Sequence, residues 1–250
     1  MYATTKEQYE NQHRELMEEW QIRHGANIGQ CGFAKDGIVY PNVWFSLAEE
    51  EERVLFLLKE AYTVENPKLV WDEAKWLSHQ KCMNGCEEDC RKCSITGSTF
   101  NPVAEWAYGI FSTKENVYPK YDDWLGVSSK KIQDYYIARD ALLSRLAIVN
   151  IKKSSGVSAS DNSDLYYYAA LDKELLIRQI ALIDPTVIIC GGTYGMLRCL
   201  FTELGKLDNM NDGHTKLGKI KIIASCHPNS RTISKADKYK AVLDNYIAKD

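Results

Sequence analysis

The stretch RVLFLLKEAYTVEN, residues 53–66, decides the fold. After Arg53, residues 54–58 are uniformly apolar, too few for a helix and with no polar residue in alternation. A strand buried on both faces of a parallel sheet has this pattern. The polar, turn-forming residues that follow bring it to an end. Three later segments repeat the design: LAIVN (146–150), TVIIC (186–190) and KIIAS (221–225). Between them, IQDYYIARDALLSRL (132–146) and LYYYAALDKELLIRQIALI (165–183) carry helical periodicity, with Asp161 or Ser163 placed to cap the second. Residues 5–24 predict an N-terminal helix with an apolar stripe of Tyr9, Leu16, Trp20 and Ile22. Strand and helix in alternation imply an α/β fold, a three-layer α/β/α sandwich around a central four-stranded, mainly parallel sheet.

Composition sets the outer bounds. The 250 residues are 45% hydrophobic and 26% charged, enough for one sizeable core, so residues 1–250 are expected to form a single domain. No apolar run approaches the roughly 20 residues that span a bilayer, and MYATTKEQYENQ lacks the pattern of a signal peptide. A cytoplasmic protein with no membrane partner is expected, and no feature calls for an obligate protein partner. Eight cysteines in such a compartment favour metal binding over disulfides. The net charge of −3 argues mildly against nucleic acid, but its distribution is uneven. Glu49 to Glu52 form an acidic run, whereas residues 214–240 are rich in Lys and Arg, so a local basic face is compatible with the sequence.

In open parallel sheets, ligands bind at the carboxyl ends of the strands. Here those ends lead into LKEAYTVEN (58–66), NIKKSSG (150–156), GGTYG (191–195) and CHPNSR (226–231). Taken singly, each is ordinary turn chemistry. Together they put a carboxylate, an amide, a glycine pair and an imidazole on loops that converge.

These four loops, in this order, resemble those of the uracil-DNA glycosylase superfamily over about residues 30–235. The resemblance implies a monofunctional DNA glycosylase that flips a pyrimidine out of DNA and hydrolyses its N-glycosidic bond, leaving an abasic site. It assigns Asn150 to the base edge and His227 to the 2-carbonyl, where negative charge builds as the bond breaks. Glu60 is the candidate for positioning water, since Ala61 stands where better-known branches carry Asp or Asn. Ala61, Tyr62 and Thr63 would line the base pocket, and a residue as small as Thr63 leaves room for a 5-substituent. DNA contacts fall to Lys152, Lys153, Gly191, Gly192 and Thr193, followed by Asn229, Ser230 and Arg231, with Arg231 near the position of a base-stack wedge. Trp71 or Trp76 is placed to stack on the base. Two other readings stand beside this one. One is an antiviral defence glycosylase acting on hypermodified, for example glucosylated, cytosine; the other is a catalytically inactive DNA-binding relative.

The segment KCMNGCEEDCRKC places Cys82, Cys86, Cys90 and Cys93 within a loop spanning 82–93, with three, three and two residues between successive thiols. Four thiolates at this spacing suit a tetrahedral zinc site, placed ahead of an iron–sulfur cluster because a structural site needs no open position. The CxxxCxxC portion also matches a radical-enzyme signature, but the sheet is too short for the barrel that such enzymes use. The chemistry of base release itself needs no cofactor. Elemental analysis of the purified protein is expected to find one zinc centre, or iron with its visible absorption. Four freely titrating loop thiols in metal-free, folded protein would remove the site.

Overall fold

The computed structural model describes residues 3–28, 32–62, 70–74, 77, 94–128, 132–156 and 160–249. The first half contains α1 (Lys6–Ile28), β1 (Phe33–Lys35), β2 (Gly37–Ile38), α2 (Pro41–Trp44), β3 (Val54–Tyr62), β4 (Val70–Asp72), α3 (Ser94–Ser112) and α4 (Tyr121–Ser128). The second contains α5 (Ile132–Leu143), β5 (Ala147–Gly156), α6 (Asn162–Leu171), α7 (Lys173–Ile183), β6 (Val187–Gly191), α8 (Tyr194–Leu200), β7 (Asp212–Leu217), β8 (Ile220–Ser225) and α9 (Lys235–Ile247). Among the described residues no helix is long and apolar enough to cross a membrane.

The four apolar runs are the four parallel strands at the centre of one sheet, in the order β5-β3-β6-β8. The expectation of a four-stranded sheet is corrected at both edges: β2 pairs antiparallel with β5, and β7 pairs antiparallel with β8, giving a mixed sheet of six strands. Neither edge carries an apolar run. β2 has only two residues, and β7 is the polar sequence DGHTKL, joined to β8 through Gly218 at φ +60°.

Alternate side chains of β3 enter two separate cores, as the period of a strand requires. Leu55 and Leu57 pack with α1, α6, α7 and α8 through Trp20, Leu165, Ile180 and Leu197. Val54, Phe56 and Leu58 pack with α3, α5 and α9 through Trp106, Leu143 and Val242. Helices therefore cover both faces.

Two helical expectations need adjustment. In α1, Tyr9, Leu16 and Trp20 are buried as expected, but Ile22 is 71% exposed. The periodic run 165–183 is two helices, because Asp172 turns out of the helix and its carboxylate meets His24 Nε2 at 2.9 Å in the interior. Asp161 is the cap of α6, accepting from Ser163 N at 2.8 Å.

The edge of the sheet next to β5 is closed by one buried carboxylate. Asp36, between β1 and β2, is fully buried. Its Oδ2 accepts from Asn150 N (2.8 Å) and Asn150 Nδ2 (3.1 Å). Its Oδ1 accepts from Lys153 Nζ (2.6 Å) and Gln179 Nε2 (2.9 Å). Its backbone carbonyl accepts from Gln179 Nε2 at 2.9 Å and faces His13 Nε2 at 2.6 Å. One residue thereby ties α1, β5 and α7 together. Asp36→Ala leaves the Lys153 ammonium buried without its counter-charge, and removing one member of such a pair costs about 3–5 kcal/mol. Urea denaturation of the variant is expected to show a loss of that size, and a loss below about 1 kcal/mol would show that the cluster re-forms without the carboxylate.

Candidate functional site at the carboxyl edge of the sheet

Because β5, β3, β6 and β8 run parallel, their carboxyl ends at Gly156, Tyr62, Gly191 and Ser225 all lie at the same edge. The β6 turn draws two of them together. Gly192 has φ +73°, a conformation glycine adopts without steric penalty, and its N–H donates to Ser225 O at 2.7 Å. A Cβ on Gly192 would sit 3.1 Å from Lys59 Cε and 3.4 Å from His227 N. A Cβ on Gly191 would lie 2.8 Å from Leu58 Cδ2 and 3.0 Å from Pro228 Cδ. The glycine pair thus lets the loop after β8 lean over β6 towards β3, bringing His227 into the neighbourhood of Lys59.

His227 is partly buried and held by its own turn. Ser230 N donates to His227 O at 2.8 Å, and Asn229 N donates to His227 Nδ1 at 3.2 Å. With Nδ1 accepting, the ring proton of the neutral form resides on Nε2. Burial, and then the cations Lys59 and Lys238, push the imidazole down to about 4. At neutral pH the group is a hydrogen-bond donor through Nε2 without carrying charge.

Glu60 lies one residue beyond Lys59 on β3, with its side chain only 5% exposed. Its Oε2 is 3.2 Å from Lys152 Nζ, while Oε1 is buried and has no hydrogen-bond partner among the described residues. A buried carboxylate oxygen without a donor is costly, and such an atom commonly marks a place where water or a ligand is bound. Lys152 is anchored further by Asp164 Oδ2 at 2.6 Å and lies 5.2 Å from the centre of the Tyr168 ring. Burial would lower its pKa, but Asp164 and Glu60 together hold the ammonium above its ordinary value.

Other residues expected at the site go elsewhere. Asn150 is 1% exposed, and besides Asp36 its Nδ2 reaches Glu73 Oε2 at 2.6 Å. Its amide nitrogen is committed to the carboxyl groups of Asp36 and Glu73 in the cluster at the β5 edge, not to a base-reading position beside His227. Lys153 is fully buried, donating to Asp36 and to Asn150 O (2.9 Å), with its ammonium 4.6 Å from the Trp20 ring. It is unavailable to a phosphate. Thr193 is also fully buried and donates its hydroxyl to Leu57 O at 2.7 Å, bracing the turn against β3 instead of facing DNA. Ser154 is buried as well. Ala61 is buried, Asn229 and Arg231 are exposed, and Ser230 Oγ is 2.9 Å from Thr232 Oγ1. Thr63, Trp76 and the four cysteines 82, 86, 90 and 93 lie outside the described residues, as do the side chains of Tyr62 and Trp71.

No protein-family model matches the chain, and no curated protein matches it.

Sequence reasoning missed Lys59, Lys238 and the Asp36–Glu73 pair. Within that pair, burial and then the neighbouring Asp36 charge push Glu73 up to about 8, so this carboxyl is mostly protonated at pH 7. A groove of about 410 Å³ flanks the cluster along α1 and is lined by Tyr9, His13, Lys35, Tyr40 and Asp72 among others, none of them from the carboxyl edge.

The sign of the His227 shift gives a measurable consequence. The unfolded chain binds a proton at about 6.5 and the folded one only near 4, so acidification through that window favours unfolding. His227→Asn is expected to lose less stability than the parent between pH 6.5 and about 4, by at most roughly 1.4 kcal/mol per pH unit. Parallel pH-dependent denaturation curves for the two proteins would show the site to be solvated instead.

Proposed function

We propose that the chain is a DNA glycosylase of the uracil-DNA glycosylase type, extruding a pyrimidine, either uracil or a modified pyrimidine, and hydrolysing its N-glycosidic bond. The observation that carries this reading is the presence, at one sheet edge, of a neutral imidazole with its proton on Nε2 and of a buried carboxylate with an oxygen unpartnered among the described residues. Four parallel strands at the middle of the sheet, with helices on both faces and the loops in question at their carboxyl ends, support a uracil-DNA glycosylase-like sandwich as its frame.

In this reading the bond between the sugar C1′ and the base nitrogen breaks with its electron pair going to the base. The charge that develops on the 2-carbonyl oxygen is met by His227 Nε2–H. A neutral donor suits this task, because it stabilises the departing anion without first having to give up a full charge to it. Water adds to C1′ and its proton passes to Glu60, whose Oε1 has no competing donor among the described residues. Lys152, held between Glu60 and Asp164, fixes the carboxylate in place. Backbone at Gly191 and Gly192, with the exposed Asn229 and Arg231, supplies DNA contacts. Asn150, Lys153 and Thr193 serve the scaffold. The four cysteines would hold a metal centre that takes no part in these steps.

The test is release of abasic sites, read on gels after alkaline cleavage, from oligonucleotides containing uracil and from phage DNA carrying glucosylated cytosine. His227→Ala is expected to lower single-turnover base release by on the order of a hundredfold while the protein stays folded. A fully active variant would take His227 out of the mechanism. DNA binding without base release from either substrate would leave a binding protein in place of an enzyme.

A further inference from the structure

The turn that carries His227 is held from below by a lysine. Lys238, in the first turns of α9, is 3% exposed. Its Nζ donates to Pro228 O at 2.7 Å and to Ser230 O at 2.9 Å. Among the described residues it makes no ion pair at carboxylate distance, so two backbone carbonyls on one short turn are the acceptors that hold it. A buried ammonium is expensive to desolvate, and its strong hydrogen bonds go to the carbonyl oxygens it faces.

We propose that Lys238 is a positioning residue for His227, its ammonium clamping the carbonyls on either side of Asn229 and so fixing the turn on which the imidazole is mounted. The clamp and the turn's own bonds converge on one ring orientation. Ser230 N closes the turn onto His227 O, Asn229 N takes up Nδ1, and the carbonyls of Pro228 and Ser230 are pinned from the α9 side. On the β6 side, Gly192 N bonds Ser225 O, two residues before the imidazole. The titratable groups facing His227 and Lys238 come from several elements: Lys59 of β3 and Lys238 of α9 face His227, while Cys226 after β8, whose thiol is neutral, Glu105 of α3 and Lys235 of α9 face Lys238. Both cations acting on His227 disfavour imidazolium, so the residue that orients the ring also helps keep it neutral. The kinetic consequence rests on the glycosylase reading; the geometric one does not.

Lys238→Met removes donors and charge at similar length. By NMR, the His227 titration midpoint is expected to move up by about half a pH unit, and the amides of residues 229–231 to exchange at least tenfold faster. Base release should fall about tenfold in kcat with KM nearly unchanged, and the acid limb of its pH profile should move up with the imidazole. A folded variant whose His227 midpoint and turn amides match the parent would overturn the proposal. Wild-type protein that releases no base would defeat the glycosylase reading alone, since the titration and exchange measurements still decide the clamp. Should Lys238→Met not fold, couplings across the hydrogen bonds from Lys238 Nζ to the Pro228 and Ser230 carbonyls in wild-type protein decide it. Their presence supports the clamp, and a freely rotating, rapidly exchanging ammonium refutes it.

Discussion

The fully buried carboxylate of Asp36 is the interaction on which the rest of this architecture depends. Four donors from β5 and α7 converge on its two oxygens, and its carbonyl engages α7 and faces α1. A buried ion pair contributes little net stability against a well-packed apolar alternative, since desolvation consumes most of the Coulombic gain. What it contributes here is uniqueness. The strand at this edge, β2, is two residues long and offers little pairing of its own. A slip of one residue would move every β5 side chain to the opposite face and strip Asp36 of Asn150 and Lys153 together.

The carboxyl edge holds a different set of groups. There Glu60 Oε1 has no hydrogen-bond partner among the described residues, and burial, then the cations Lys59 and Lys238, keep the imidazole of His227 neutral. Unsatisfied polar atoms are not confined to this edge, since Gln179 Oε1 beside Asp36 is also buried without a hydrogen-bond partner among the described residues. Without a Cβ at Gly191, Leu58 and Pro228 approach each other across it, so the loop after β8 reaches β3.

The central strands were legible because burial on both faces demands continuous apolar runs, and residues 54–58, 146–149, 187–190 and 222–224 supply them. The edge strands were not, since two residues at 37–38 and the polar DGHTKL carry no such pattern. The break at Asp172 was hidden because aspartate is tolerated in a helical run, and the partner that draws it inward, His24, lies 148 positions away. Lys153 read as a surface cation for the same reason: lysine is rarely buried, and the aspartate that makes it so is 117 positions distant. At the candidate site, His227, Glu60 and the glycine pair were visible as loop residues after strands. Lys238 was not, because a lysine on a charged helix gives no sign of pointing inward.

Glu73 and His227 impose opposite pH slopes on the same fold. The folded chain holds a proton on Glu73 up to about 8 that the unfolded chain has lost by about 4.5, so this carboxyl weakens the fold as the medium becomes more alkaline. His227 weakens it on acidification from about 6.5 to about 4. Between about 4.5 and 6.5 the proton gained by Glu73 on folding balances the one given up by His227, and the two contributions cancel. As far as these two groups are concerned, folding is proton-neutral over that interval: the molecule has a plateau of stability instead of a peak, falling away on the acid side through the imidazole and on the alkaline side through the buried carboxyl.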